Sequence, residues 1–276
     1  MAESTTASTI SSINGETRSP ILKALTILEA VVSGDRAVSL HELTESLGIP
    51  KPTAHRVALL LEREGFLGRE PGNKRFVPGH RLVDLSFGAL RAAARQGPSH
   101  LALMRLAEDI GEDCGLAVLM GGEVARLDIA STAHPLGVVT TPDGRSPIHC
   151  TATGKIFLAY MPPSRRERIL AAVPLKRFTP STIIDPLVIA RESALIRERG
   201  YATDDGECQA GVTCIAVPVR SLGGEVRASV CVVAPEARMS VRDALRHLPA
   251  LRETAARISD LLAPPPRGSA AIRAAE

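Results

Sequence analysis

Aromatic side chains are scarce in this chain of 276 residues: 3%, with no Trp, two Tyr and five Phe. A surface that stacks single-stranded nucleic acid or RNA bases needs exposed rings, so that class is disfavoured. Long apolar runs are missing too. CIAVPV (214–219) is among the longest, far short of the roughly 18 residues that span a bilayer. The polar start, MAESTTASTISSINGE, lacks a basic-then-apolar pattern, which predicts no signal peptide and a cytoplasmic protein without a membrane partner. The five cysteines (114, 150, 208, 214 and 231) contain no C-x-x-C. Neither a zinc ribbon nor a disulfide framework is signalled, and they read as small buried hydrophobes. A charge excess is lacking as well: 33 Lys and Arg against 30 Asp and Glu leave +3. Net charge therefore neither demands nor excludes a nucleic-acid partner, and local distribution must decide.

Catalytic signatures are equally thin. No G-x-S-x-G or G-x-G-x-x-G occurs. Thr153-Gly154-Lys155 looks like a P-loop end, but His149 stands where Gly is required and Ile156 follows the Lys. Cys208 and Cys214 are separated by five residues, which matches no common zinc spacing. Spacing alone leaves open a Cys nucleophile with a His base. Asp204, Asp205 and Glu207 could hold a cation, yet read more readily as a solvated acidic turn. No cofactor, metal or catalytic residue is expected.

What is present reads as a soluble globular protein, 45% hydrophobic and 23% charged, with length enough for two domains. Residues 1–18 read as a disordered arm and 263–276 as a disordered tail. Ser19-Pro20 starts a helix, with Ile21, Leu25, Leu28 and Val32 on one face. Ser39 followed by Glu42 is a capping box. Leu40, Leu43 and Leu47 form that helix's apolar face, and Gly48 ends it. A third helix follows within a few residues, with Pro52 at its first position, Ala54, Val57, Leu60 and Leu61 buried, and Gly65 closing it. Segments 66–69 and 74–77 read as strands around the turn Glu70-Pro71-Gly72-Asn73. Three helices and a hairpin over 19–79 make a winged helix-turn-helix.

The third helix would enter a major groove. It presents Lys51, Thr53, His55, Arg56 and Arg63 outward. Arg56 can pair with guanine O6 and N7, worth roughly 1–3 kcal/mol of discrimination. Lys74 and Arg75 on the wing suit backbone or minor-groove contact.

Beyond a linker helix at 80–95, residues 96–262 form a second domain. Pro98 opens a helix carrying Leu101, Met104, Leu106 and Ile110. Strand-like segments lie at 115–120 and 123–129, joined by Gly121-Gly122, and again at 213–220 and 226–233. Helical patterns occur at 152–161, 165–173, 187–199 and 241–262. Hairpins with flanking helices predict an α+β fold with a mostly antiparallel sheet.

The run SLHELTESLGIPKPTAHRVALLLEREGFLGREPGNKRFVPGHRLVDL resembles the DNA-binding domain of the IclR family of bacterial transcriptional regulators. The resemblance continues at PIHCTATGKIFLAYMP and RERGYATDDGECQAGVTCIAVPV. Pro52 departs from it, standing where many relatives have a small polar residue. The resemblance implies a GAF-like effector-binding domain, with ligand against the sheet under the loop at 149–155. It also implies homodimers that can pair into homotetramers. The chain itself adds that the first amides of the helix at 151–154, those of Ala152 and Thr153, can bind an anion. Asp204, Glu207 and Cys214 align with the family pocket, as do Cys231 and Val233, which share one strand face. Val138 and Val212 are expected as apolar wall. Some relatives carry serines at 231 and 233; the softer residues here predict a larger acid, such as an aromatic carboxylate. The expectation is a ligand-responsive repressor or activator of a catabolic operon, bound to a pseudo-palindromic double-stranded operator. The alternative is a small-molecule sensor or enzyme that uses the helix-turn-helix only to dimerise.

Overall fold

A computed structural model describes residues 19–34, 36–134, 137–138 and 144–261. The expected arm at 1–18 and tail at 263–276 lie outside the described residues. The chain divides into two compact units between Ala89 and Leu90.

The first unit holds α1 (Pro20–Ser33), α2 (Leu40–Leu47), α3 (Lys51–Arg63), β1 (Leu67–Arg69), β2 (Phe76–Pro78) and the start of α4 (His80–Gln96). The capping box is formed: the Ser39 hydroxyl accepts from the Glu42 amide at 3.2 Å, and the Glu42 carboxylate accepts from the Ser39 amide at 2.7 Å. These bonds satisfy amides that the first turn leaves without helical partners. Gly48 leaves α2 at φ 62°, a left-handed turn that a side chain would strain. The core gathers Ile27, Val31, Leu43, Ile49, Ala54, Ala58, Leu61, Leu67 and Phe76. Val38 pairs with Phe76 through two backbone bonds of 2.9 and 2.7 Å, tying the segment before α2 to the hairpin.

Two expected faces are turned. On α1 the buried residues are Ile27 and Val31, whereas Ile21, Leu25 and Val32 are exposed, Ile21 by 71%. Both sets obey helical spacing, so periodicity alone could not choose between them. On α3, Ala58 takes the place expected of Leu60, which is 48% exposed. At about 100° per residue, Ala54, Val57, Ala58 and Leu61 cluster on one side and Leu60 falls outside their arc. α3 also begins at Lys51, so Pro52 is its second residue, and β2 begins after Lys74 and Arg75, leaving both in the turn.

The second unit contains α5 (Pro98–Ile110), β3 (Asp113–Met120), β4 (Glu123–Ala130), β5 (Arg145–Ser146), α6 (Ala152–Tyr160), α7 (Pro163–Ala172) and α8 (Pro186–Arg199). It continues with β6 (Ala202–Asp205), β7 (Val212–Arg220), β8 (Val226–Pro235), α9 (Val241–Ala244) and α10 (Leu248–Leu261). One antiparallel sheet runs β5-β4-β3-β8-β7-β6. α5 and α10 cover one face, and α6 backed by α8 covers the other. The mixed fold is therefore the expected α+β architecture. On α5 the buried residues are Leu103, Leu106 and Ala107, whereas Leu101 and Met104 are exposed. The helix expected over 241–262 is broken: a 3₁₀ turn at Leu245–His247 separates α9 from α10. Pro249 has no amide to donate and suits only the first turn of a new helix. Asp204 lies on edge strand β6 rather than in a turn. Among the described residues no helix is long and apolar enough to cross a membrane.

Candidate functional site

Two surfaces carry the residues singled out above. In the first unit, a groove of about 490 Å³ is lined by Lys51 and His55 of α3, Lys74 and Arg75 of the turn, and Ser39 and His41 at the start of α2. The fold thus brings the head of α3 and the wing together. His41 was not anticipated; its place at the open end of α2 was the signal. Arg56 is exposed and makes no ion pair or hydrogen bond with the described residues, whereas Thr53 is half-buried on the flank of the helix. Arg63 sits at the far end of α3, about 18 Å of helix rise from Lys51, and pairs with Glu64 at 3.2 Å. Arg75 is committed within the unit: its guanidinium donates to Glu42 at 2.9 Å and to the Ala37 carbonyl at 3.0 Å. Glu42 is held at about 2 by the Ser39 amide and hydroxyl and by Arg36, so it stays charged.

In the second unit, a cavity of about 300 Å³ lies between the sheet and the segment leading into α6. Seven of the nine residues expected there line it: Val138, Thr153, Asp204, Val212, Cys214, Cys231 and Val233. Ala152 and Glu207 do not. The Ala152 methyl packs into the core with Ile156, Ala159 and Ile196. The Glu207 carboxylate turns to Lys155, whose buried ammonium also donates to Glu192 at 3.1 Å and to the Thr203 carbonyl at 3.0 Å. The acidic turn is therefore not solvated at these positions, since Asp204 and Glu207 are both buried and only Asp205 is exposed. Burial pushes the Glu207 carboxyl up to about 7, against the pull of Lys155.

The wall carries polar groups that the sequence reading missed, notably Arg126, Gln209, Cys208 and Ser146, beside the ring of Phe178. Arg126 had a visible signal: it is the lone cation inside the apolar strand EVARLDIA. Asp204 is fixed by accepting from the Glu207 amide at 2.8 Å and the Cys208 amide at 3.2 Å, yet burial still raises its carboxyl to about 6. Thr151 caps α6, accepting from the Gly154 amide at 3.1 Å and donating to the Pro147 carbonyl at 2.8 Å. Gly154 is required by close packing: a Cβ there would stand 2.2 Å from the Ile148 carbonyl oxygen. The cavity thus offers apolar walls, a helix start, a guanidinium and a carboxyl of raised pKa, which together suit a small molecule with an anionic end. Among the described residues no cluster of His, Cys, Asp or Glu could hold a metal.

Comparison with known proteins agrees at both ends of the chain. Residues 20–71 match the family model for the IclR helix-turn-helix domain. Residues 96–260 match that for the C-terminal domain of the bacterial transcriptional regulator IclR. A relative from Cupriavidus necator, described as the probable transcriptional regulator SauR, is 32% identical over 231 residues, covering 84% of this chain and 92% of the relative. The crystal structure of the Thermotoga maritima IclR is similar with a TM-score of 0.59 and 30% identity, over 88% of this chain and 98% of that one. An IclR homologue from Microbacterium hydrocarbonoxydans, complexed with 4-hydroxybenzoate, is similar with a TM-score of 0.55 and 30% identity, again over 88% and 98%.

Proposed function

The chain belongs to the IclR family of transcriptional regulators, and from that premise we propose that it controls a catabolic operon in response to an aromatic carboxylate. Family membership makes it a DNA-binding regulator with an effector-binding C-terminal domain and sets aside the enzyme reading. The observation that carries the finer reading is the cavity: apolar, about 300 Å³, with Arg126 in its wall. That volume is at the small end of ligand sites and favours a single ring over a larger ligand. A guanidinium is matched to a carboxylate by charge and by its planar array of donors. The structural relative that holds 4-hydroxybenzoate supports the same class.

On the DNA side, Lys51, His55 and Lys74 line one groove beside Arg56, which is free to reach base edges. Arg75 lines the same groove and also braces the wing through its ion pair with Glu42. One recognition helix covers only a few base pairs, so a homodimer, alone or paired into a tetramer, reads a pseudo-palindrome. Effector regulates by binding the DNA-competent and incompetent states with different affinity.

The test is a titration of purified protein on the DNA flanking its own coding region, against random DNA, at several salt concentrations. An operator complex at least roughly a thousandfold tighter than random DNA is expected, and 4-hydroxybenzoate should change it. Arg56→Ala should weaken operator binding more than random-DNA binding, by about 1–3 kcal/mol. Equal losses on both would remove Arg56 from base reading. Tight binding only to two- or three-carbon acids would remove the aromatic effector.

A further inference from the structure

The connection from α7 to α8, residues 173–185, runs as an irregular strap beside the cavity and sends Phe178 into its wall. Among the described residues that line the cavity, Phe178 is the only aromatic one. It is also 42% exposed, so the residue meets the cavity and solvent at once and stands in the mouth. It packs in neither the apolar cluster around Leu158 nor the one around Ile156. A ring so placed is not filling either core.

The strap is built to hold that ring. The buried Thr182 hydroxyl accepts from the Phe178 amide at 3.0 Å and the Thr179 amide at 2.8 Å, and donates to the Glu207 carbonyl at 2.7 Å. The Thr179 hydroxyl donates to the Gly206 carbonyl at 2.7 Å. Both threonines thus clamp the strap to the turn after β6, where the Glu207 and Cys208 amides fix Asp204. The buried His149 donates from Nε2 to the Lys176 carbonyl at 3.0 Å, and its ring lies 6.0 Å from that of Phe178 at a tilt of 33°. Backbone bonds before and after Phe178 therefore pin its α-carbon, and the ring is in place before a ligand arrives.

We propose that Phe178 is the selectivity gate of the cavity: its ring closes the mouth and favours flat aromatic bodies over puckered aliphatic ones of similar size. The proposal rests on the cavity being the effector site, as argued above. An aromatic ligand gains an offset or edge contact with the Phe178 ring beyond the burial of its own apolar surface, and a saturated ring does not. The Lys176 ammonium, 5.5 Å from the Phe178 ring centroid, sets a positive charge at the same entrance. It draws an anionic ligand in preference to a neutral one.

Benzoate and cyclohexanecarboxylate separate the two kinds of body, since both carry a carboxylate on a six-carbon ring and only one ring is flat. Calorimetry on the full-length protein should find benzoate bound more tightly. Phe178→Leu keeps apolar bulk and removes the π face. It should cut the preference for benzoate by roughly two- to tenfold, with cyclohexanecarboxylate affinity and melting temperature unchanged. Equal losses for both acids, or no change for either, would overturn the proposal and leave the aromatic-carboxylate reading standing. A second arm needs no ligand. Cys208, Cys214 and Cys231 line the cavity and report access to it. Iodoacetamide should alkylate them severalfold faster in Phe178→Ala than in wild type, with the rate at Cys114, outside the cavity, unchanged. Unaltered rates at the three cavity thiols would show that the ring does not close the mouth and would also overturn the proposal. If neither acid binds wild type while Phe178→Ala still speeds labelling, the aromatic-carboxylate reading falls and closure by Phe178 stands.

Discussion

Asp204 carries the most consequential charge in the cavity. Burial holds its carboxyl at about 6 even though two backbone amides bond to it. A carboxylate ligand sharing the cavity disfavours a second negative charge, so binding raises that pKa further and takes up a proton. The sign follows from linkage. Below about 6 the free protein already holds the proton, and affinity is flat. Above about 6 the proton must be bound with the ligand, so affinity falls as pH rises, by at most tenfold per pH unit. Calorimetry across pH 5.5–8 should show this for an aromatic carboxylate, and Asp204→Asn should be flat and tighter at neutral pH. A flat wild-type profile would mean that ligand and Asp204 do not interact. At this scale the sequence was partly legible. Asp204, Cys214, Cys231 and Val233 were found because strand alternation and family motifs place them on one wall. Glu207 was misplaced because its partner, Lys155, is 52 residues away in the chain, and no local pattern records such a pairing.

At the scale of elements, the readable features were those written in adjacent residues. The Ser39–Glu42 box is local, and the structure forms it bond for bond. Ser39→Ala should cost about 1 kcal/mol, as an N-cap loss does, measured by denaturant titration at pH 7. The same substitution also frees Glu42 to drift from Arg75, which braces the wing. Facing was less legible. α1 is apolar nearly all round, and only packing on α3 and the hairpin selects Ile27 and Val31 over Ile21 and Leu25. The small edge strands β5 and β6 escaped notice because two to four residues carry too little alternation. Gly154 gives the sharpest element-scale test. It sits inside the first turn of α6, where an added methyl would strike the Ile148 backbone at 2.2–2.7 Å. Backbone on both sides of the clash cannot yield as a side-chain tip would. Gly154→Ala should therefore cost about 3 kcal/mol or more and loosen the cavity mouth, seen as a lower melting temperature and lost ligand binding. A melting temperature within a degree or two of wild type would show that the α6 entry is softer than its packing implies.

For the whole molecule, the question is how a ligand held in one compact unit changes DNA affinity in another. The unit boundary falls between Ala89 and Leu90, inside α4, so a single helix belongs to both. Whatever structural route the coupling takes, thermodynamics constrains its size. If effector changes operator affinity by some factor, operator must change effector affinity by the same factor. A coupling of about 1–3 kcal/mol, typical of such systems, corresponds to roughly 5–150-fold. The measurement is a closed cycle: operator titrations with and without saturating 4-hydroxybenzoate, and effector calorimetry with and without saturating operator. The expected result is one factor on both arms, with the same sign. Lys74→Ala should lower operator affinity and reduce its salt slope by about one phosphate contact, while leaving the effector arm's ratio unchanged, because it alters a contact common to both effector states. Asp204→Asn should do the reverse, shifting effector affinity and leaving the salt slope intact. If instead the two arms disagree beyond error, effector and DNA are not meeting the same species, and a change in oligomeric state must be part of the switch.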